Sequence, residues 1–313
     1  MAVLASLLIF LNPVMALFFS AAPASLPEVT PTTTPLAGEF RLPLNNFAFL
    51  AAQFLPGYPF RDWNTPEPEI SAKTALVFDA SRQRLLWQKN GLDEPKPIAS
   101  LTKLLTALAV LQIAGPDEIF MVSQTAIATS GEMGDLIVGE QLTVKNLLAA
   151  MLIASSNDAA IALAENISER YQKNLVDKMN DLARELNLKN SFFVDPSGLD
   201  ARNRSSANDL IILFQEVLKN PLLASLVQAS SWETQSVDKR FSHRFISTNQ
   251  LLTQMPEIIG GKTGYTEEAG NCMIIASKAP DQQGNIVMLV MESQDRMAEI
   301  SVLIKWTEDA FLW

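Results

Sequence analysis

A chain of 313 residues, 48% of them apolar, can bury one large core or two and is not a disordered protein. A formal charge of -10, with 24 basic against 34 acidic residues, lacks the clustered cations that phosphate recognition needs, so no nucleic-acid partner is expected. The single cysteine, Cys272, excludes an internal disulfide and a cysteine-based metal site, and the single histidine, His243, excludes a multi-histidine metal cluster.

From the beginning of the chain, no charge occurs between Met1 and Pro27, and Ala2 to Phe19 is a nearly unbroken apolar run long enough to enter or span a bilayer. Ala22-Pro23-Ala24 has a small-residue cleavage pattern, although the basic segment that normally precedes such a run is missing. Residues 1–24 therefore read as a signal peptide or a retained membrane anchor, with a buried core helix as the third reading. Export to the cell envelope, outside the cytoplasm, is expected. Residues 25–70 read as a Pro/Thr-rich linker, with Thr30-Pro31-Thr32-Thr33-Thr34-Pro35 as an extended spacer and Asn46 to Leu55 as a short helix docked on the globular part.

Residues 71–313 have globular texture. Thr74 to Ala80 and Arg84 to Gln88 read as a hairpin turning around Ala80 to Gln83. A helix begins near Ser100, its apolar positions Leu101, Leu104, Leu105, Leu108 and Leu111 following the three-four spacing of a buried face. Thr143 is a candidate N-cap for a helix through Ala154, and Ser155-Ser156-Asn157-Asp158 separates it from another at Ala159 to Arg170. Helices at Leu175 to Leu186 and Ala207 to Leu218 come next. Strands return at Ile258 to Tyr265, Cys272 to Ser277 and Ile286 to Met291, and a helix from Met297 to Phe311 closes the chain. Strands at both ends around a helical middle predict one sheet built from the two ends with an inserted helical lobe, and a cleft where the two meet.

Three short motifs stand in order: Ser100-Leu101-Thr102-Lys103, Ser155-Ser156-Asn157 and Lys262-Thr263-Gly264. Each alone also fits a plain reading, such as an N-cap with a solvated lysine. Together, opening an apolar helix, breaking two helices and lying in a strand after two glycines, they occupy the contexts of the acyl-serine motif set. A serine at a helix start has backbone N–H groups and the positive dipole end nearby. Lys103 lies one turn along on the same face, within reach of its hydroxyl. A lysine acts as a base once burial and a second cation lower its proton affinity, and Lys262 is the candidate second cation.

On these motifs the chain resembles the D-alanyl-D-alanine carboxypeptidases, the low-molecular-mass penicillin-binding proteins. Met179-Asn180, Ala183 to Leu186, Phe193 to Asp200 and Thr248 to Leu252 extend the resemblance over about Ser71 to Trp313. It implies an α/β class of the α+β type, with an antiparallel sheet flanked by helices and an inserted all-helical lobe. It also implies a D-Ala-D-Ala carboxypeptidase working on the peptidoglycan pentapeptide through an acyl-enzyme on Ser100, with Lys103 and Ser155 as further catalytic residues. Asn157, Lys262, Thr263, Gly264 and Tyr265 are then substrate-binding. Ser155 relays a proton to the departing amine, and Asn157 orients Lys103 and the substrate amide. Lys262 and Thr263 hold the terminal carboxylate, and the N–H groups of Ser100 and Tyr265 form the oxyanion hole. No metal or organic cofactor is needed, and β-lactam antibiotics are expected as covalent inhibitors.

A D,D-endopeptidase cutting cross-links with the same groups is the nearest rival. A class A β-lactamase needs a deacylating Glu-x-x-Leu-Asn, and Leu186-Asn187 puts Ala183 where that Glu belongs. A non-catalytic peptidoglycan-binding module disagrees with the full set of polar residues. No Gly-x-Ser-x-Gly elbow accompanies His243, so a Ser-His-Asp triad is not expected. Cys272 reads as a small core residue and Trp306, Phe311 and Trp313 as packing for the last helix.

Overall fold

The computed structural model describes residues 58–131 and 134–313. The expected leader at 1–24, most of the 25–70 linker and the expected helix at Asn46 to Leu55 lie outside the described residues.

In chain order, β1 (Phe60–Arg61) precedes β2 (Thr74–Asp79) and β3 (Arg84–Lys89). β4 (Lys96–Pro97) leads through a 3-10 turn, Ala99–Leu101, into α1 (Thr102–Leu111). β5 (Ile119–Met121), α2 (Gln124–Ile127) and β6 (Gln141–Thr143) come next, then α3 (Val144–Ile153), α4 (Asn157–Tyr171) and α5 (Leu175–Glu185). β7 (Arg204–Ser205), α6 (Ala207–Lys219) and α7 (Pro221–Gln228) are followed by β8 (Ser231–Gln235) and β9 (Ser242–Ile246). The last elements are β10 (Ile258–Thr266), β11 (Gly270–Lys278), β12 (Asn285–Ser293), α8 (Arg296–Ala310) and β13 (Phe311–Leu312).

The predicted joining of the two ends is present: the central sheet runs β10-β11-β12-β2-β3, every pair antiparallel. Its inner strands are apolar throughout because both faces are covered, so their residues alternate between two cores rather than between core and water. Leu76, Cys272, Ile274, Val287 and Leu289 join the core shared with the helical lobe. Ala75, Val77, Met273, Ile275, Met288 and Val290 join the core under α8. Each large apolar side chain so removed from water contributes roughly 1.5–3 kcal/mol. Burial pushes the Cys272 thiol up to about 11, which makes it the inert core residue its apolar neighbours indicated.

The inserted lobe is mainly helical. It also carries the two-stranded ribbons β5–β6 and β8–β9, which an all-helical reading omits. Thr143 caps α3 as expected, its hydroxyl accepting from the Asn146 N–H at 3.3 Å. Helix α7 escapes the periodicity because Asn220-Pro221 looks like a stop. Pro221 instead opens α7 at its first turn, where a missing N–H costs nothing, and the Asn220 side chain caps it.

The described end of the linker packs on the domain. β1 pairs with β13, with Phe60 opposite Leu312. The Arg61 guanidinium lies over Trp306, 4.6 Å from the ring centroid, and the Trp306 indole donates to the Pro66 carbonyl at 2.8 Å. Ser71 and Ala72 donate backbone N–H groups to the buried Glu299 carboxylate. Among the described residues no single helix is long and apolar enough to cross a membrane.

Glu292 on β12 bonds to Lys73 and Lys96 and so fastens the approach to β2 and the segment before Ser100 to one strand. These two lysines hold its carboxyl below the ordinary glutamate range. A carboxyl whose folded pKa is depressed contributes stability that is full above its unfolded pKa and is lost as pH falls through the folded one. Replacing Glu292 with Gln should therefore reduce thermal stability at neutral pH and leave it nearly unchanged in acid, as measured by unfolding temperatures across pH.

Candidate active site

The segment before α1 is held in an unusual path. Lys96-Pro97 pairs with Arg204-Ser205, the Ile98 N–H donates to the Asn203 carbonyl at 3.3 Å, and Ala99 adopts a left-handed backbone (φ 47) that costs a non-glycine residue roughly 1–2 kcal/mol. The result is the tight turn that carries Ser100, just before the α-helix proper. Lys103, in the first turn of α1, is fully buried and reaches back so that its ammonium lies 2.7 Å from the Ser100 hydroxyl oxygen. The same Nζ lies 2.7 Å from Asn157 Oδ1 and 2.6 Å from the Ser197 carbonyl oxygen.

The second motif fills the break between α3 and α4. Ser155 is buried and also left-handed (φ 60), a strained position of the kind that concentrates at functional sites. Ser156 caps α4 by accepting from the Ala159 N–H at 2.9 Å. Asn157 is oriented by donating its Nδ2 to the Ser130 carbonyl at 2.9 Å, which leaves Oδ1 for Lys103. The buried Asp158 carboxylate accepts from the Gly134 N–H at 3.0 Å, holding the segment opposite.

The third motif lies on β10, the sheet edge nearest the lobe. Lys262 is buried and donates to Ser155 Oγ at 2.8 Å and to the Thr263 carbonyl at 2.9 Å. Thr263 shares a 2.6 Å hydrogen bond with the Thr248 hydroxyl. A Cβ at Gly264 would lie 3.0 Å from the Ile98 carbonyl and 3.1 Å from the Ser100 nitrogen, so glycine lets the strand touch the turn that carries Ser100. Tyr265, one residue on, projects a largely exposed side chain.

The residues that the motifs single out, Ser100, Lys103, Ser155, Asn157, Lys262, Thr263 and Gly264, thus form one connected group. His243 is elsewhere in the bonding scheme: its Nε2 pairs with Glu140 Oε2 at 2.8 Å. Ala183, at the position a deacylating carboxylate would need, is buried in α5. Among the described residues no cluster of His, Cys, Asp and Glu is arranged to hold a metal ion.

Four contributors are not legible as motifs. The carbonyls of Ser130 and Ser197 come from the backbone, which any residue type supplies. Thr248 stands in the Thr248 to Leu252 stretch that extends the resemblance, but no periodicity links it to Thr263, 15 positions on. Arg296, at the start of α8, donates Nη1 to the Gly264 carbonyl at 2.7 Å and brings a cation to the end of the third motif. A signal did exist for the Ser197 carbonyl in the turn that carries it. Asp195 accepts from the N–H groups of Ser197 and Gly198, both at 2.7 Å, an Asx-type turn written in Asp-Pro-Ser-Gly.

A family model described as D-alanyl-D-alanine carboxypeptidase, Peptidase S11, matches residues 62–295. The chain is 35% identical over 221 residues to the D-alanyl-D-alanine carboxypeptidase DacF of Bacillus subtilis, covering 68% of this chain and 56% of that protein. It is 34% identical over 222 residues to a D-alanyl-D-alanine endopeptidase of Pseudomonas aeruginosa, covering 67% of this chain and 68% of that one. The matched part thus spans little more than half of the first relative and two thirds of the second. The crystal structure of the Streptomyces K15 DD-transpeptidase superposes with a TM-score of 0.71 at 25% identity, covering 77% of this chain and 98% of that one.

Gly198 gives the sharpest local test. Its φ is 89, and a Cβ there would lie 2.0 Å from the Ala99 carbonyl oxygen, whereas Gly139, with φ 81, has nothing within 4 Å. Gly139→Ala should cost about 1 kcal/mol from backbone strain alone. Gly198→Ala should cost at least about 3 kcal/mol or prevent folding, because the turn carrying Ser100 must move. Denaturant unfolding of the two variants checks the difference.

Proposed function

We propose, because the chain belongs to the D-alanyl-D-alanine carboxypeptidase family, that it is a serine-type D-Ala-D-Ala carboxypeptidase acting on peptidoglycan stem peptides through an acyl-enzyme on Ser100. One observation carries the reading. Ser100 Oγ, Asn157 Oδ1 and the Ser197 carbonyl oxygen lie within hydrogen-bond distance of Lys103 Nζ, and of these the two carbonyl oxygens only accept, so when the amine is neutral the Ser100 hydroxyl is the one of these groups able to donate to its lone pair. Lys103 is then placed to take the Ser100 proton as Oγ attacks.

The reaction follows in two steps. Ser100 Oγ bonds to the carbonyl carbon of the penultimate D-Ala, and the C–N bond to the last D-Ala breaks. The departing amine takes a proton through Ser155, whose hydroxyl Lys262 holds, and water then hydrolyses the ester to restore Ser100. Thr263 and Lys262 supply a hydroxyl and a cation for the terminal carboxylate, with Arg296 reinforcing the positive potential. The N–H groups of Ser100 and Tyr265 serve as the oxyanion hole, where loss of one donor typically costs about 100- to 1,000-fold in rate. Export to the envelope, with the apolar N-terminal run as leader or anchor, places the enzyme with its substrate.

β-Lactams, which present a strained amide beside a carboxylate, should acylate Ser100. With no carboxylate at Ala183, their hydrolysis should be slow. Cleavage of cross-links by the same groups is the second reading, favoured by the relatives named endopeptidases at 34% and 32% identity.

The purified protein, given a peptide ending in D-Ala-D-Ala, should release D-alanine, and Ser100→Ala should release it about 1,000-fold more slowly or not at all. Equal release by the variant would remove Ser100 as nucleophile. A labelled penicillin should remain attached to the unmodified protein for many minutes and fail to attach to the variant. Rapid, complete hydrolysis of penicillin would assign the chain to β-lactamase chemistry instead.

A further inference from the structure

Beside the second motif lies a cavity of about 520 Å³ that the reaction with a single departing D-alanine does not use. Arg240 to Ile246 line one side and Gly134, Asp135, Ile137 and Ala154 the other. The first side is the strand β9. Its pairing with β8 sets Ser231 opposite Ile246 and Gln235 opposite Ser242. The bonds from Ser247 N–H to the Ser230 carbonyl and from Ser236 N–H to the Phe241 carbonyl fix which pairs bond across the ribbon. By the antiparallel alternation, His243 and Phe245 turn their N–H and C=O groups toward β8, and Ser242, Arg244 and Ile246 turn theirs to the opposite edge. Among the described residues, no strand, loop or side chain takes up those outward groups. A row of unpaired donors and acceptors along a cavity is the setting for β-strand addition by an extended peptide.

Position decides which peptide. β9 continues through Ser247 to Thr248, whose hydroxyl bonds to Thr263 at 2.6 Å and whose N–H bonds to the Ile153 carbonyl at 3.1 Å. The far side of the cavity reaches Ala154, next to Ser155. Both walls therefore converge on the groups assigned to the leaving side of the scissile bond. From Ser242 to Ile246 the strand runs about 13 Å at about 3.3 Å per residue, room for about four or five extended residues. Charge along it is mixed, with Arg240 beside Asp238 and the largely exposed Arg244 near Glu233. Backbone bonding and the exposed Ile246 and Ile137 are what the surface offers.

We infer that this edge binds the leaving-group arm of a cross-linked substrate, the second stem peptide adding to β9 as a third strand of the ribbon. The inference rests on the acyl-serine reading of Ser100. In that step the cross-link amide C–N bond breaks as the Ser100 ester forms, the freed amine of the second peptide takes the proton, and water later hydrolyses the ester. A substrate ending in D-alanine stops at Thr263 and leaves the edge unfilled.

The test compares kcat/KM for two substrates, a disaccharide-peptide dimer joined by a D-Ala cross-link and a short N-acylated tripeptide ending in D-Ala-D-Ala. Arg244→Pro deletes one outward N–H without touching the ribbon's own bonds, and Arg244→Ala keeps that N–H. Arg244→Pro should lose about tenfold on the dimer, the equivalent of roughly one hydrogen bond, and stay within about twofold on the tripeptide. Arg244→Ala should stay within about twofold on both. Equal losses on the two substrates, no loss on the dimer, or an unmodified protein that cleaves only the tripeptide would overturn the inference while leaving the acyl-serine reading intact. Failure of both substrates together with failure of a penicillin to label Ser100 would remove that reading as well. Amide hydrogen exchange in the Ser100→Ala protein is a measurement that does not depend on how the proline variant folds. Saturating dimer should slow exchange at Ser242, Arg244 and Ile246, and the tripeptide should not; no protection by the dimer overturns the inference.

Discussion

Two lysine side chains taken out of water govern this structure. A buried ammonium is tolerated only where hydrogen-bond acceptors surround it. Around Lys103 these come from three separated stretches of chain, Ser100, Asn157 and Ser197. Around Lys262 they come from Ser155 and from the neighbouring Thr263 carbonyl. The turn before α1, the α3–α4 break, the Asp195–Asp200 turn and the edge strand β10 must therefore all be in register for the core to close. A fold that satisfies these two lysine side chains has, by the same act, brought the Ser100 hydroxyl, the Lys103 amine and the Ser155 hydroxyl into one bonded group. Stability and chemistry are coupled here through one set of hydrogen bonds.

The rest of the domain holds that junction still. Strands from the two ends of the globular part build a sheet with both faces covered, so β10 cannot shift without disturbing two cores. The lobe presents Ser155 and Asn157 on a left-handed break that glycine would adopt more easily. A residue with a side chain stands there because its hydroxyl is bonded: Ser155 Oγ accepts from Lys262, a bond that offsets the backbone strain.

Much of this is legible in the chain itself. Helix α1, the hairpin β2–β3 and the closing strands emerge from periodicity because long apolar runs dominate them. The three motifs emerge from residue type and context. The ribbon β8–β9 does not, because Ser-Trp-Glu-Thr-Gln and Ser-His-Arg-Phe-Ile are short and largely polar, and alternation over so few residues cannot be told from loop. The partners of Lys103 are half visible. Asn157 acts through its side chain and stands in a motif; Ser197 acts through its carbonyl, and only the Asp-Pro-Ser-Gly turn hints that the chain there has a fixed path. The docking of Phe60 to Ala72 is hidden by a linker-like composition, and it depends on aromatic surface offered by α8 and β13 from the other end of the chain.

The pairing of β1 with β13 has a further meaning. Phe60 and Leu312 stand opposite one another in a two-stranded ribbon, so the two ends of the described part lie side by side. The order in which Ser100, Ser155 and Lys262 succeed one another along the chain is then a matter of where the polypeptide happens to be cut, since joining those ends and opening a surface loop elsewhere would leave every contact of the site unaltered. Circular permutation is compatible with this architecture, and what defines the site is a closed ring of contacts rather than a linear succession of motifs.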